Sequence, residues 1–261
     1  MKNIKTAIIL AGGKGTRLAE QTKEIPKPLV EVGGTPILFH VMNHLAYWGI
    51  TKIIIAGGYK VELVKEAVKN YLELDKDVSI KNGVVEEIHN ESLLSKVEII
   101  VANTGPITNT AQRIKICEKY LENNEDFVMT YGDTVSDVNL ENVENQLYSN
   151  GKIMTLTAFR FQERFGILKI DDEGTVNAWA EKSMSKHEFI NGGFICCRNE
   201  VMKNILPEDE DFSKVTMARI QQNNLMSAYV HDGFWHAMDS QRDYENLNKI
   251  YKENPELFHS K

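Results

Sequence analysis

Apolar positions fall into two regimes along this chain. TAIILA (6–11), KIIIA (52–56), VEIIVA (97–102) and FVMTY (127–131) are short, nearly unbroken apolar runs rich in β-branched residues. Such runs predict strands covered on both faces, as in a parallel sheet. Between them the period lengthens to that of a helix. Pro36 opens one helix, which runs to about Trp48 and is stopped by Gly49. A second spans 60–74, with Leu63, Val64, Ala67, Val68, Tyr71 and Leu72 along one face, and a third lies near 110–122. Alternating strands and helices predict a parallel sheet with right-handed crossovers and a ligand site beyond the strands' carboxyl ends.

From about 153 the pattern changes. IMTLTAF, GILKI, TVNAWAE and FINGGFICC read as strands joined by short polar turns, followed by a partly exposed helical stretch at 200–222 and a final helix around 240–252. The fold class is therefore α/β: a Rossmann-like, mostly parallel sheet flanked by helices, with a mixed or antiparallel extension. A chain of 261 residues buries one good core, so a single domain is expected.

Composition changes this picture little. At 42% hydrophobic and 26% charged residues the chain is globular rather than disordered. No apolar run approaches the roughly 18 residues that span a bilayer. MKNIKTAIILAGG starts like a signal peptide, but its apolar stretch is too short and ends in glycines, so it is read as the first strand of a cytoplasmic protein. Cys117, Cys196 and Cys197 have no metal-ligand spacing and are expected as buried, reduced thiols.

Charge raises a question. A net charge of −7 argues against non-specific nucleic-acid binding, and it has the wrong sign for anionic small ligands. Yet Lys14, Arg17, Lys23 and Lys27 crowd into one segment, and a local basic pocket attracts anions whatever the net charge.

That segment begins with LAGGKGTRL (10–18), directly after the first strand. Glycines let backbone approach phosphate closely, and consecutive amides form an anion cradle. The Walker pattern is absent, and the dinucleotide pattern fails because Leu18 stands where its last glycine belongs. Arg17 offers a planar, permanently charged fork suited to phosphate oxygens. Lys27, between Pro26 and Pro28, is expected in an extended segment that presents it to phosphate.

LAGGKGTRL followed by EIPKPLVEVGGTPIL resembles the amino-terminal signature of the sugar-phosphate nucleotidyltransferases. YGDTVSD (131–137), RFGIL (164–168), AEK (180–182), INGGF (190–194) and GFWHAMDSQRD (233–243) then follow in order, so the resemblance covers nearly the whole chain. NGGF and GFW-x-x-MD point to the cytidylyl branch. The resemblance implies Mg²⁺-dependent transfer from CTP to a phosphorylated acceptor, glucose 1-phosphate, giving a CDP-linked product and pyrophosphate, with a setting in polysaccharide biosynthesis. It implies that Leu10, Ala11, Gly12, Gly13, Lys14, Gly15, Thr16 and Arg17 cradle the nucleotide, with Lys27 at its phosphates and Thr108 and Arg113 near it. It implies Asp133 and Asp239 as Mg²⁺ ligands, with Arg17 and Lys27 as their catalytic partners. Glu181, Lys182, Asn191 and Gly192 would face the acceptor. Residues about 1–150 would form a nucleotide-binding half and about 151–261 an acceptor-binding half. A homo-oligomer, trimeric or hexameric, is implied as well.

The chemistry agrees independently. Mg²⁺ takes one or two carboxylates with phosphate oxygens and water. Asp133 follows an apolar strand and Gly132, which sets it at the ligand edge of the sheet. A phosphate monoester is mostly dianionic near neutral pH, so the attacking group needs no strong base, and none is evident.

The departures cluster. EKSMSKHEF (181–189) stands where relatives carry proline and glycine after the lysine, and Ala111-Gln112 stands where they carry glycines. Another sugar phosphate, or a phosphorylated non-sugar such as an amino-acid amide, is therefore an alternative acceptor. A catalytically silent nucleotide-sugar-binding protein is the alternative of a different class. His40 and His44 share the i, i+4 spacing of zinc ligands but lack a third, and are expected on a flank of their helix. Trp179, Phe194 and Trp235 are candidates for a pocket wall, though strand aromatics more often belong to a core.

Overall fold

The chain starts with β1 (Thr6–Ala11), the short helix α1 (Ala19–Thr22), the ribbon β2 (Glu31–Val32) and β3 (Thr35–Pro36), and helix α2 (Ile37–Tyr47). Then come β4 (Lys52–Gly57), α3 (Val61–Leu74), the hairpin β5 (Lys76–Lys81) and β6 (Val84–His89), and β7 (Glu98–Asn103). Helix α4 (Thr110–Cys117), β8 (Phe127–Tyr131), β9 (Thr134–Ser136) and α5 (Leu140–Ser149) complete the first half. The second holds β10 (Met154–Gln162), β11 (Ile167–Ile170), β12 (Val176–Ala180), β13 (Met184–Asn191), β14 (Ile195–Cys197), α6 (Met217–Gln222), β15 (Met226–His231), β16 (Trp235–Ala237) and α7 (Gln241–Glu253). The structure is a computed structural model that describes every residue except 75, 82–83, 90–92, 163–166, 181–183 and 259–261. At 19–20, 74, 76–81, 84–89, 161–162, 167, 180 and 184–187 it describes the backbone element alone.

Among the described residues, one eight-stranded sheet runs β13-β10-β14-β8-β1-β4-β7, with β15 on β10. β1 lies parallel to β4 and β8, and β4 parallel to β7, so the four apolar runs form the parallel part. β14 turns antiparallel against β8, β10 is antiparallel to β14 and β13, and β15 joins β10 in parallel. The unbroken apolar composition of β1 follows from burial on both faces. Ala7 and Ile9 pack in the core that holds Leu38, Val64 and Leu140, while Ile8 packs in the other, with Ile54, Ile114 and Phe212. Helices α2, α3, α5 and α7 thus cover one face, and α4 and α6 the other.

Several details depart from the sequence reading. FINGGFICC is two strands, because the chain turns at 192–194, where Gly193 (φ +74°) and Phe194 (φ +46°) are left-handed. The 200–222 stretch is not one helix. It is a 3₁₀ turn at Asn199–Asn204, a π turn at Phe212–Thr216 and then α6, with Val201, Met202, Phe212 and Ile220 buried. Helix α4 ends at Cys117 and tightens to a 3₁₀ turn at Glu118–Tyr120. All three cysteines are free and buried, as expected. No helix among the described residues is long and apolar enough to cross a membrane.

Candidate active site

The carboxyl ends of β1, β4 and β8 meet at one edge of the sheet. β1 delivers the glycine turn, which leaves the sheet after Ala11 and carries Gly13, Lys14, Thr16 and Arg17 exposed at its tip. Arg113 braces that turn from below. It is only 5% exposed, and its guanidinium donates to the Thr104 hydroxyl and to the Gly105 carbonyl oxygen at 2.7 Å. Gly12 and Gly58 flank it so closely that a Cβ on either would fall 2.3 or 2.2 Å from a guanidinium atom. Arg113 therefore holds the cradle in shape from beneath. Thr108 lies beside Gly105 in the same loop, where a Cβ on Gly105 would come within 2.8 Å of the Thr108 hydroxyl oxygen.

Lys27 sits differently from the expectation. Pro26 is extended, but Lys27–Leu29 form a 3₁₀ turn closed by the Leu29 amide donating to the Pro26 carbonyl. The turn swings the Lys27 side chain inward against Gly15, whose left-handed backbone (φ +63°) leaves no room for a side chain. Its ammonium then bridges two carboxylates, 2.6 Å from Asp133 Oδ2 and 2.7 Å from Asp239 Oδ1. Arg17 approaches Asp239 at 3.9 Å. Burial works to lower the Lys27 pKa, but the Asp133 and Asp239 carboxylates outweigh it and raise the value above that of an ordinary lysine.

A short ribbon explains why the aspartates meet. Asp133 immediately precedes β9, Asp239 lies two residues beyond β16, and these strands pair antiparallel, with Ala237 opposite Thr134. The Met238 amide donates to the Asp133 carbonyl at 2.9 Å and closes the ribbon end. Ser240 then caps α7 through a reciprocal pair with Asp243, which fixes the chain just after Asp239. The two carboxylates thus converge on one cation, the Lys27 ammonium. Asp133 and Asp239 remain 24% and 44% exposed, which leaves room for phosphate oxygens and water. The donor set fits Mg²⁺.

Asn191 and Gly192 lie at the end of β13, with Asn191 exposed and Gly192 buried. Tyr131 at the end of β8 stands close to Gly193. Glu181 and Lys182 lie outside the described residues.

Sequence reasoning missed a second glycine pair, Gly57-Gly58, at the carboxyl end of β4. Tyr59 there donates to the Gly12 carbonyl at 3.2 Å, and Lys60 donates to the carbonyls of Lys23 and Glu24 at 3.0 and 2.6 Å. Its signal was available, since glycines directly follow a parallel strand, as they do after β1. His40 and His44 face inward rather than lying on a flank. His40 Nε2 is 3.0 Å from the Val32 carbonyl, and burial pushes the His44 pKa down to about 4. They help line a cavity of about 300 Å³ with Trp48, Phe194 and Phe258, and that cavity contains none of Arg17, Lys27, Asp133 or Asp239. No group of three or more metal-ligating side chains occurs among the described residues. Phe194 is wholly buried, Trp179 is 66% exposed, and Trp235 is half-buried.

The family model for nucleotidyl transferase matches residues 6–254. Glucose-1-phosphate cytidylyltransferase of Salmonella typhi is 36% identical over 249 residues, 94% of this chain and 95% of that one. D-glycero-alpha-D-manno-heptose 1-phosphate guanylyltransferase of Campylobacter jejuni is 29% identical over 78% of this chain and 80% of its own length. The structure of UDP-glucose pyrophosphorylase from Acinetobacter baumannii superposes with a TM-score of 0.68 at 18% identity, covering 98% of this chain and 96% of the other, which shows the shared fold. Matched along most of its length and folded as these enzymes are, the chain belongs to the nucleotidyl transferase family.

Proposed function

We propose that this enzyme transfers the cytidylyl group of CTP to the phosphate of glucose 1-phosphate, releasing pyrophosphate. The observation that carries the reading is the Lys27 ammonium held between Asp133 and Asp239 beside the glycine turn. The similarity to the Salmonella cytidylyltransferase supports the choice of CTP and glucose 1-phosphate over other pairs.

In this reading the exposed amides of the glycine turn and the Arg17 fork receive the triphosphate, while Arg113 keeps the turn from collapsing. Asp133 and Asp239 would hold Mg²⁺, which would supply charge neutralisation on the phosphates. Lys27 turns its ammonium from the carboxylates to the phosphate oxygens. The acceptor's phosphate oxygen attacks the α-phosphorus, the bond to the β-phosphate oxygen breaks, and pyrophosphate leaves. The nucleophile is already anionic, so the protein contributes alignment and charge stabilisation rather than a base. Residues 1–150 form the nucleotide half. The second half supplies Asn191 and Gly192 to the acceptor, with Glu181 and Lys182 assigned to the same role.

A homo-oligomer belongs to the same reading. Leu168, Ile170, Val176 and Trp179 pair across β11 and β12 and stand exposed on one side of this hairpin, which favours burial against another copy. Light scattering after gel filtration tests it.

The deciding experiment is pyrophosphate release with each of four nucleoside triphosphates against phosphorylated sugars and non-sugars, with and without Mg²⁺. CTP with glucose 1-phosphate should give the highest kcat/KM, and Asp133→Asn should remove most of the metal-dependent rate. Turnover confined to a different nucleotide or to a non-sugar acceptor would overturn the substrate assignment.

A further inference from the structure

The chain at 191–194, where the acceptor would lie, is held mainly by residues outside the proposed site, Thr130, Thr157, Phe159 and Trp235. Gly192 is pinned at both ends of its backbone: its amide donates to the Thr157 carbonyl at 2.9 Å, and its carbonyl accepts from the Trp235 indole Nε1 at 2.8 Å. A Cβ at Gly192 would lie 2.1 Å from the Phe159 ring and 3.0 Å from Trp235 Nε1, so only glycine fits between them. Phe159 is itself fixed, with Trp235 on one side at a ring separation of 5.2 Å and His231 on another at 5.1 Å. His231 in turn pairs with Asp137 at 2.7 Å. The next residues depend on the same register. The Gly193 amide donates to the Asn191 side-chain oxygen at 3.0 Å, and the Phe194 amide donates to the Thr130 hydroxyl oxygen at 3.3 Å.

Trp235 stands on β16, directly opposite Ser136 in the ribbon whose other end sets Asp133 beside Asp239. One rigid two-stranded element therefore carries the carboxylate pair at one end and the indole that grips Gly192 at the other. We propose that Trp235 is a positioning residue for the acceptor, fixing the 191–194 turn at a set distance from the Asp133–Asp239 pair. This rests on the acceptor role given above to Asn191 and Gly192. The indole N–H is the coupling atom. Without it the Gly192 carbonyl, in a buried stretch, loses its partner, and the turn is free to shift relative to the carboxylates. The indole contact touches neither the glycine turn nor Arg113, and Lys27 meets the ribbon only at its far end, at Asp133 and Asp239.

Trp235→Phe keeps an aromatic ring and removes the donor. Hydrogen exchange should be at least tenfold faster at the amides of 192–194 in the variant, with the amides of β1 and β8 unchanged. Steady-state kinetics should show the acceptor KM raised at least tenfold, the CTP KM within twofold of the parent, and a smaller ratio of kcat/KM between glucose 1-phosphate and its epimers. Exchange at 192–194 equal to that of the parent overturns the clamp whatever the substrate is. Faster exchange with an unchanged acceptor KM overturns the positioning role. Faster exchange in the variant, together with a parent that turns over no sugar phosphate, refutes the substrate assignment while leaving the clamp standing. Should Trp235→Phe fail to fold, 3-benzothienylalanine incorporated at position 235 replaces the indole N–H by sulfur at constant ring size, and it is read by the same two measurements.

Discussion

Lys27→Met removes the ammonium that Asp133 and Asp239 share and keeps an unbranched stem. With the bridging nitrogen 2.6 and 2.7 Å from the two oxygens, these oxygens lie no farther apart than about 5 Å. At that separation two carboxylates repel by about 3 kcal/mol at an effective dielectric near 20. Asp239 is 44% exposed, so solvent screening brings the net figure to roughly 1–2 kcal/mol. A divalent cation relieves this repulsion, and in the variant it no longer competes with a resident ammonium. Affinity for Mn²⁺ or Mg²⁺ without nucleotide should therefore rise about tenfold, since about 1.4 kcal/mol is one decade. Turnover should move the other way. Losing a preorganised cation at the triphosphate costs on the order of 10²–10³ in kcat. Isothermal titration with Mn²⁺ in the absence of CTP and pyrophosphate release at saturating substrates measure the two effects. A variant that binds the metal no better than the parent refutes the stand-in role of the ammonium, and one that keeps near-full turnover refutes its catalytic role.

Gly12→Ala should force a Cβ into the Arg113 guanidinium, which Gly58 and the Thr104 and Gly105 bonds keep from retreating. About 2–4 kcal/mol of stability and most nucleotide affinity should be lost, and adding Arg113→Ala should restore stability to denaturant but not the affinity. His44 is buried as the neutral imidazole, with a pKa of about 4 caused first by burial and only partly offset by the Val138 backbone and Asp137, with His231 adding to the depression. The unfolded chain protonates near 6.5, so this group's stabilisation is present above that pH and is lost as pH falls from about 6.5 toward 4. Between pH 7 and pH 5 the parent should lose about 2 kcal/mol more than His44→Phe in urea denaturation, and equal losses would show that His44 does not titrate in this way.

The strand–helix rhythm was legible because a parallel sheet buried on both faces leaves no polar positions. Ala7, Ile8 and Ile9 alternate between two cores, and each must be apolar. Pro36 and Gly49 marked α2 because backbone restrictions act locally. The glycine turn and its cations were legible for the same reason, lying within one short segment. Other features could come only from tertiary structure. β9 and β16 are three residues each, too short for any period to emerge, yet their pairing brings Asp239 to a lysine 212 residues earlier. Arg113 has the composition of a surface phosphate ligand, and it is buried because Gly12 and Gly58, from two different strand ends, close over it. Trp235 reaches the Gly192 carbonyl across 43 residues of sequence through one indole N–H, a contact made where the β9–β16 ribbon packs against the end of β13 and written in no local pattern.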